Sequence, residues 1–266
     1  MGEREVVVEV KDLVKKFGDR PVLNGVDLKV YRGETFVIMG GSGCGKSTLL
    51  RHMIGSLKPT SGRVYLLGDD ITDKYGEELD EVRKKIGMSF QSSALFDSMT
   101  VGENVSLPLF EHTKLEKSVI DIMIKMKLEL VGLRGFEDLM PSELSGGMRK
   151  RVGLARAIAM DPQIIFYDEP TAGLDPIVAA VIDKLIIDLS KKLSITSVVV
   201  THDMKSVMSI ADRIAMLYEG KVLQTGTPDE IKNSDNEMVQ QFIKGDFDGP
   251  IRFFQQKDDY LESLTA

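Results

Sequence analysis

Thr35-Phe-Val-Ile-Met-Gly40-Gly-Ser-Gly-Cys-Gly45-Lys-Ser-Thr-Leu-Leu50 is the stretch that decides the fold. Thr35 to Met39 is apolar with a β-branched bias, which predicts a short buried strand. Gly40, Gly41, Gly43 and Gly45 follow, leaving the backbone bare. Lys46, Ser47 and Thr48 then open an apolar helix. Strand, G-x-x-x-x-G-K-S and helix in that order form a phosphate-binding P-loop. Successive loop N–H groups make a nest for anions, and the helix start adds partial positive charge. Lys46 is placed to reach the outer phosphates, and the Ser47 hydroxyl to ligate Mg²⁺. No position in the loop gives G-x-G-x-x-G, so a dinucleotide fingerprint is excluded.

Further along, Ile164 to Tyr167 predicts another buried strand, ended by Asp168 and Glu169. Alone, an Asp-Glu pair is an ordinary strand-end turn. Beside a P-loop, Asp168 is placed in the Mg²⁺ shell and Glu169 as general base for an attacking water. Leu144-Ser145-Gly146-Gly147-Met148 precedes a helix from Arg149 to Ala159, with Ser145 as N-cap and two glycines baring the first N–H groups. Capping alone would explain that pattern, yet it is a second anion site in a chain that already has one. His202 follows the strand Ser197 to Val200 and points toward the phosphates. Phe17 is either a base-stacking aromatic or a packed loop residue.

Strands alternating with helices predict an α/β P-loop fold with a mostly parallel sheet. Val6 to Val10, Val22 to Val30 and Arg63 to Leu67 suggest a small antiparallel sheet beside it, with Phe17-Gly18 in a loop. Residues 91–159 read as an inserted helical subdomain entered at Gln91. Pro176 opens a helix with Val178, Ile182, Leu185, Leu189 and Leu193 along one stripe. Ile214 to Tyr218 and Lys221 to Thr225 form a hairpin turning at Glu219-Gly220, and Thr227-Pro-Asp-Glu230 is a capping box. Residues 1–245 are expected to form one domain and 246–266 a separate tail.

The 266 residues carry 42% hydrophobic and 28% charged side chains and a net charge of −7. That is an ordinary globular composition, and its acidity argues against a nucleic-acid partner. The first residues are too charged for a signal peptide, and Val6 does not fit a myristoylation motif. No apolar run approaches a membrane span, and the one cysteine, Cys44, fits a reducing cytoplasm.

Together these residues resemble the ATP-binding subunits of ABC transporters over nearly the whole chain. Gly40, Gly41, Ser42, Gly43, Cys44, Gly45, Lys46, Ser47 and Thr48 match Walker A, and Gln91 the Q-loop. Ser145, Gly146 and Gly147 match the signature, Asp168 and Glu169 Walker B, Asp175 the D-loop and His202 the switch histidine. The resemblance implies a RecA-like core with an N-terminal antiparallel β subdomain and an inserted α-helical one. It also implies ATP and Mg²⁺ as cofactors, Ser47, Gln91 and Asp168 around the metal, and adenine stacked on Phe17. Lys46, Glu169 and His202 would be catalytic. Met148 stands where most of the family has Gln. Ser-Gly-Gly-Met, Ala94-Leu-Phe96, Glu103-Asn-Val105 and Leu107 to Thr113 are similar to the Mla-type phospholipid-trafficking and toluene-tolerance branch. That branch implies a homodimer, an MlaE-like permease, an MCE protein (MlaD-like) and a STAS-domain protein (MlaB-like) at the cytoplasmic face of an inner membrane. The tail from Ile251 to Phe254 would then dock on the neighbouring ATPase chain. Another cargo, a soluble ABC protein acting on DNA or ribosomes, and an inactive scaffold are the alternatives.

Overall fold

The computed structural model describes residues 4–251. The phosphate loop leaves the middle of a six-stranded sheet ordered β10-β9-β3-β8-β7-β6. Its strand β3 (Thr35–Met39) is buried along its whole length. It lies between β8 (Thr196–Thr201) and β9 (Arg213–Tyr218), parallel to both, with Thr35 opposite Ser197 and Phe36 opposite Arg213. A strand flanked on both edges and covered on both faces must be continuously apolar, which Phe-Val-Ile-Met supplies. β7 (Ile164–Asp168) pairs with β8, and β6 (Ile86–Ser89) with β7, both in parallel. β10 (Lys221–Gly226) is the antiparallel edge strand. It returns from β9 through Glu219 (φ 46°) and Gly220 (φ 74°), the two positive φ values a tight hairpin turn requires.

A second sheet, ordered β2-β1-β4-β5, is antiparallel throughout. β1 (Val6–Phe17) and β2 (Arg20–Tyr31) are both twelve residues long. The expected strand ended at Val10. The hairpin instead continues through Lys15 and Lys16, and Phe17 closes β1 opposite Arg20 rather than sitting in a loop. Its outer half carries little apolar alternation, yet Leu13, Leu23 and Val26 are fully buried there in the core. The register is irregular near Asp12, whose φ is 48°. β4 (Ser61–Leu66) and the short β5 (Asp69–Asp70) complete this sheet.

Helix α1 (Lys46–Met53) follows the loop. α2 (Gly76–Arg83) was not expected, because it is short and charged and buries only Leu79 and Val82. Three longer helices fill the region after Gln91: α3 (Val101–His112), α4 (Lys117–Leu130) and α5 (Gly146–Ala157). Thr100 and Glu103 form a capping box on α3. The end of α5 rests on the large sheet, where Gly87 of β6 leaves room for the Ala157 carbonyl; a Cβ there would lie 2.2 Å from that oxygen. α5 thus touches both α3 and the sheet.

The buried face of α6 (Pro176–Leu193) is Ala179, Ile182, Asp183, Ile186, Leu189 and Ser190, turned from the expected stripe. Two of these are polar. Asp183 accepts from Ser206 Oγ at 2.7 Å, and Ser190 donates to the Ile195 carbonyl at 2.8 Å, so a hydrophobic count misplaces the face. α7 (Met204–Ile210) and α8 (Pro228–Lys232) follow, the latter with the expected Thr227–Glu230 capping box. α9 (Glu237–Lys244) stops at Gly245, in the left-handed region at φ 69°. Ile251 folds back on α9 and is buried in its own chain's core. Its N–H donates to Gln241 Oε1 at 2.7 Å, and its carbonyl accepts from Gln241 Nε2 at 3.1 Å. Phe253 and Phe254, also expected to dock on a neighbour, lie outside the described residues.

Candidate functional site

Close packing forces glycine at two points of the loop after β3. At Gly40 (φ 155°) a Cβ would lie 2.2 Å from the Leu217 carbonyl oxygen. At Gly45 (φ 109°) it would lie 2.8 Å from Leu23 Cδ2 and 3.0 Å from the Val22 carbonyl oxygen. The loop is therefore pressed between β2 and the end of β9, and Gly45 is the N-cap of α1. Lys46 is buried and bends back over the loop, donating to Gly40 O at 2.7 Å and Gly41 O at 3.0 Å.

Ser47 Oγ donates to Asp168 Oδ1 at 3.1 Å. Burial pushes the Asp168 carboxyl up, Ser47 opposes that, and the Glu169 charge adds to it. A half-buried carboxylate beside a hydroxyl gains from a hard cation. Magnesium uses one or two carboxylates, hydroxyls and phosphate oxygens, so Ser47 and Asp168 fit it. Among the described residues no group of three or more His, Cys, Asp or Glu could hold a metal by itself.

Glu169 sits one residue beyond β7 with φ 47°, a left-handed conformation that non-glycine residues rarely adopt. Its N–H donates to the Val200 carbonyl at 2.8 Å, and its Oε1 lies 2.9 Å from His202 Nδ1. Glu169 is buried while the His202 side chain is 59% exposed, so the pair runs from the core to the mouth of the site. A cleft of 310 Å³ is lined by Ser42, Gly43, Gly45, Lys46, Ser47, Thr48, Gln91, Glu169 and His202. Val22 lines it as well and had no sequence signal. This cleft gathers a phosphate cradle, a carboxylate, an imidazole and a carboxamide.

Phe17, Ser145, Gly146, Gly147 and Asp175 are absent from that lining. Phe17 is 52% exposed on the hairpin tip, with Lys15 Nζ 5.1 Å from its ring centroid. Ser145 caps α5, accepting from Met148 N at 3.3 Å, and is exposed with Gly146. Asp175 caps α6 through Ile177 N at 3.0 Å and Val178 N at 3.1 Å. The two caps adjoin, since a Cβ at Gly147 would lie 2.5 Å from Val178 Cγ1. They form a second face, separate from the cleft.

Sequence reasoning missed the cations that hold the Q-loop. Lys150 Nζ donates to the Gln91 carbonyl at 2.5 Å and the Glu169 carbonyl at 3.3 Å. Arg156 donates to Ser93 O at 2.7 Å and Ala94 O at 2.8 Å. Ser93 and Ala94 have φ of 63° and 45°. Asn104 is fully buried and binds the backbone of Phe96, Met99 and Thr100.

A family model described as ABC transporter matches residues 23–172. The chain is 47% identical, over 97% of its length and 98% of the relative's, to the intermembrane phospholipid transport system ATP-binding protein MlaF of Haemophilus influenzae. It is 42% identical, over 96% of its length and 73% of the relative's, to the probable ribonucleotide transport ATP-binding protein mkl of Mycobacterium leprae. Among solved structures it is similar to the dimeric ATP-binding cassette MJ0796 in a post-hydrolysis state with ADP and Pi. That match has a TM-score of 0.76 and 35% identity, covering 83% of this chain and 98% of the other.

Proposed function

The chain belongs to the ABC transporter family and is an ABC-type ATPase, and from that premise we propose that it is the homodimeric motor of a phospholipid transporter. One observation carries the dimer. The Ser145–Gly147 turn, with Ser145 and Gly146 exposed, takes no part in its own chain's cleft. Each ATP would lie between one chain's P-loop and the other's signature turn, as the dimeric relative supports.

Within that site the loop N–H groups and Lys46 would hold the phosphates, Lys46 exchanging its carbonyl bonds for phosphate oxygens. Ser47, Asp168 and Gln91 would surround Mg²⁺, which supplies charge neutralisation on the phosphates. Glu169 accepts the proton of the attacking water, and His202 holds its carboxylate in line. Phe17 would stack on the base. Asp175 would steady the signature turn beside it.

A permease partner is supported beside the Q-loop. Leu50, Ile54, Met88 and Phe90, with Arg51, Arg83 and Asp168, line a groove of 370 Å³, and Phe96, six residues beyond Phe90, is 50% exposed. Mostly apolar, with two arginines and one carboxylate, this groove suits a short amphipathic loop. Phe96→Ala is expected to uncouple transport while sparing basal ATPase activity. Leu95 is partly packed into the core, so its substitution is expected to destabilise the fold instead.

The phospholipid cargo rests on the near full-length similarity to MlaF, and the similarity to mkl marks solute transport as the competing reading. Mla-type companions, including MCE and STAS-domain proteins, belong to the same proposal, as does a place on the cytoplasmic face of the inner membrane. Among the described residues no helix is long and apolar enough to cross a membrane. The test is purification of the tagged chain with its membrane partners, followed by mass spectrometry of what they hold. A permease carrying phospholipid supports the cargo; a permease carrying a polar solute overturns it.

A further inference from the structure

We infer that Lys150 is a positioning residue that ties the signature helix to both the Q-loop and the Glu169 backbone, so that the three move as one unit. The inference rests on the reading of Glu169 as general base and extends it to what holds that residue in place. Lys150 lies in the first half of α5, five residues beyond Ser145, and is buried. A buried ammonium needs partners, and its two are carbonyls on separate segments, Gln91 O and Glu169 O. The Walker B carboxylates Asp168 and Glu169 supply the opposing charge. Among the described residues no other side chain donates to the Glu169 carbonyl, which also accepts the Ala172 N–H at 3.2 Å.

The geometry makes this cation more than a packing detail. Glu169 is held in the left-handed region, where few backbone conformations are open to it. A donor on its carbonyl fixes the peptide plane that follows, and so the direction of its side chain. The other bond of the same ammonium reaches the entrance of the Q-loop. Arg156, on the same helix, grips the next two left-handed residues, Ser93 and Ala94. At Gly153, between the two cations, a Cβ would lie 3.4 Å from Ser93 Cβ, so the loop lies flat on the helix. A displacement of the Q-loop by a partner therefore pulls on α5 and on Glu169 through a single charged atom. Arginine could make both bonds; glutamine could make one or two without charge; methionine could make neither.

The experiment uses the full chain with Lys150→Met, Lys150→Gln and Lys150→Arg, measuring ATPase kcat and KM, nucleotide affinity, and amide exchange across residues 91–95 and 168–172. Lys150→Met is expected to lower kcat by about tenfold or more with nucleotide affinity kept within about twofold. Amide exchange should rise at both segments together. Lys150→Arg should restore most of kcat, and Lys150→Gln should fall between. If Lys150→Met folds and keeps kcat within about twofold, the inference is wrong. If Lys150→Met does not fold, Lys150→Gln and Lys150→Arg decide: equal turnover in both overturns it. Glu169→Gln separates the two readings. Normal turnover there removes the general base itself, whereas a dead Glu169→Gln beside an active Lys150→Met removes only the positioning role.

Discussion

Two helices in this chain begin with a glycine-rich turn, and they end up in opposite circumstances. The start of α1 is enclosed: β2 and β9 press on it, Lys46 crosses it, and Ser47 reaches Asp168. The start of α5 is bare, with Ser145 and Gly146 exposed and only the beginning of α6 at its side. Both have the bared N–H groups and helix charge that attract anions. One turn has its catalytic neighbours supplied by the same chain; the other has none. The difference teaches that one anion-attracting helix start is finished within its own chain while the other is left open at its surface.

Breaking that division should produce the largest effect. Ser145→Arg is expected to bind nucleotide like the parent and to hydrolyse it below detection, because a bulky cation blocks closure over the neighbour's phosphates. Mixing it with Lys46→Ala, which loses nucleotide affinity, should restore turnover through one intact composite site per heterodimer. Silence in the mixture would mean that each chain hydrolyses alone.

On the enclosed side, Glu169→Gln should slow hydrolysis by at least roughly 100-fold while Mg-ATP still binds. The ATP-bound dimer should then accumulate on a sizing column. Turnover near the parent's would move the general base elsewhere.

A smaller, structural effect is expected on the side that carries α5. Asn104→Ala leaves the carbonyls of Phe96, Met99 and Thr100 without their buried donor. The cost should be about 1–3 kcal/mol, read as a lower thermal midpoint with nucleotide affinity unchanged. An unaltered midpoint would show that water replaces the side chain.

The smallest effect should be a pH response confined to α1. His52 is buried there, with its Nδ1 on the Thr48 carbonyl at 2.7 Å. Burial holds its folded-state pKa below the ordinary value of 6.5, so the unfolded chain takes the proton more readily. The associated stability is present above that value and is lost as pH falls below it. Thermal midpoints should therefore fall on the acid side less steeply in His52→Gln than in the parent. Identical slopes would assign the acid response to other groups.

What the sequence disclosed was local. The P-loop, the Asp168-Glu169 pair, the Thr227 capping box and the Glu219-Gly220 turn each depend on residues within a few positions of one another, and each leaves a pattern. What it hid was nonlocal or carried by backbone. The Lys150 bond to Gln91 spans 59 positions, and a lysine reaching a carbonyl looks like any surface lysine in a string of letters. Asn104 was legible only as part of a family likeness; its buried work on residues 96–100 shows only in three dimensions. The outer part of β1 escaped for a related reason, since the irregularity at Asp12 puts the buried Leu13 out of step with Val8 and Val10.

The central place of β3 also bears on how the protein is made. The Thr35 N–H is satisfied by Asp212 Oδ2 at 2.7 Å, 177 positions later in the chain, and β8 and β9, which flank β3, come similarly late. During vectorial synthesis the phosphate loop leaves the ribosome early with one of the most apolar segments of the chain, while both strands that shield it are still untranslated. Long-range parallel pairing of this kind folds slowly and exposes sticky edges meanwhile. The nucleotide cradle is thus synthesised well before the two strands that shield it and is among the last parts to become a working object.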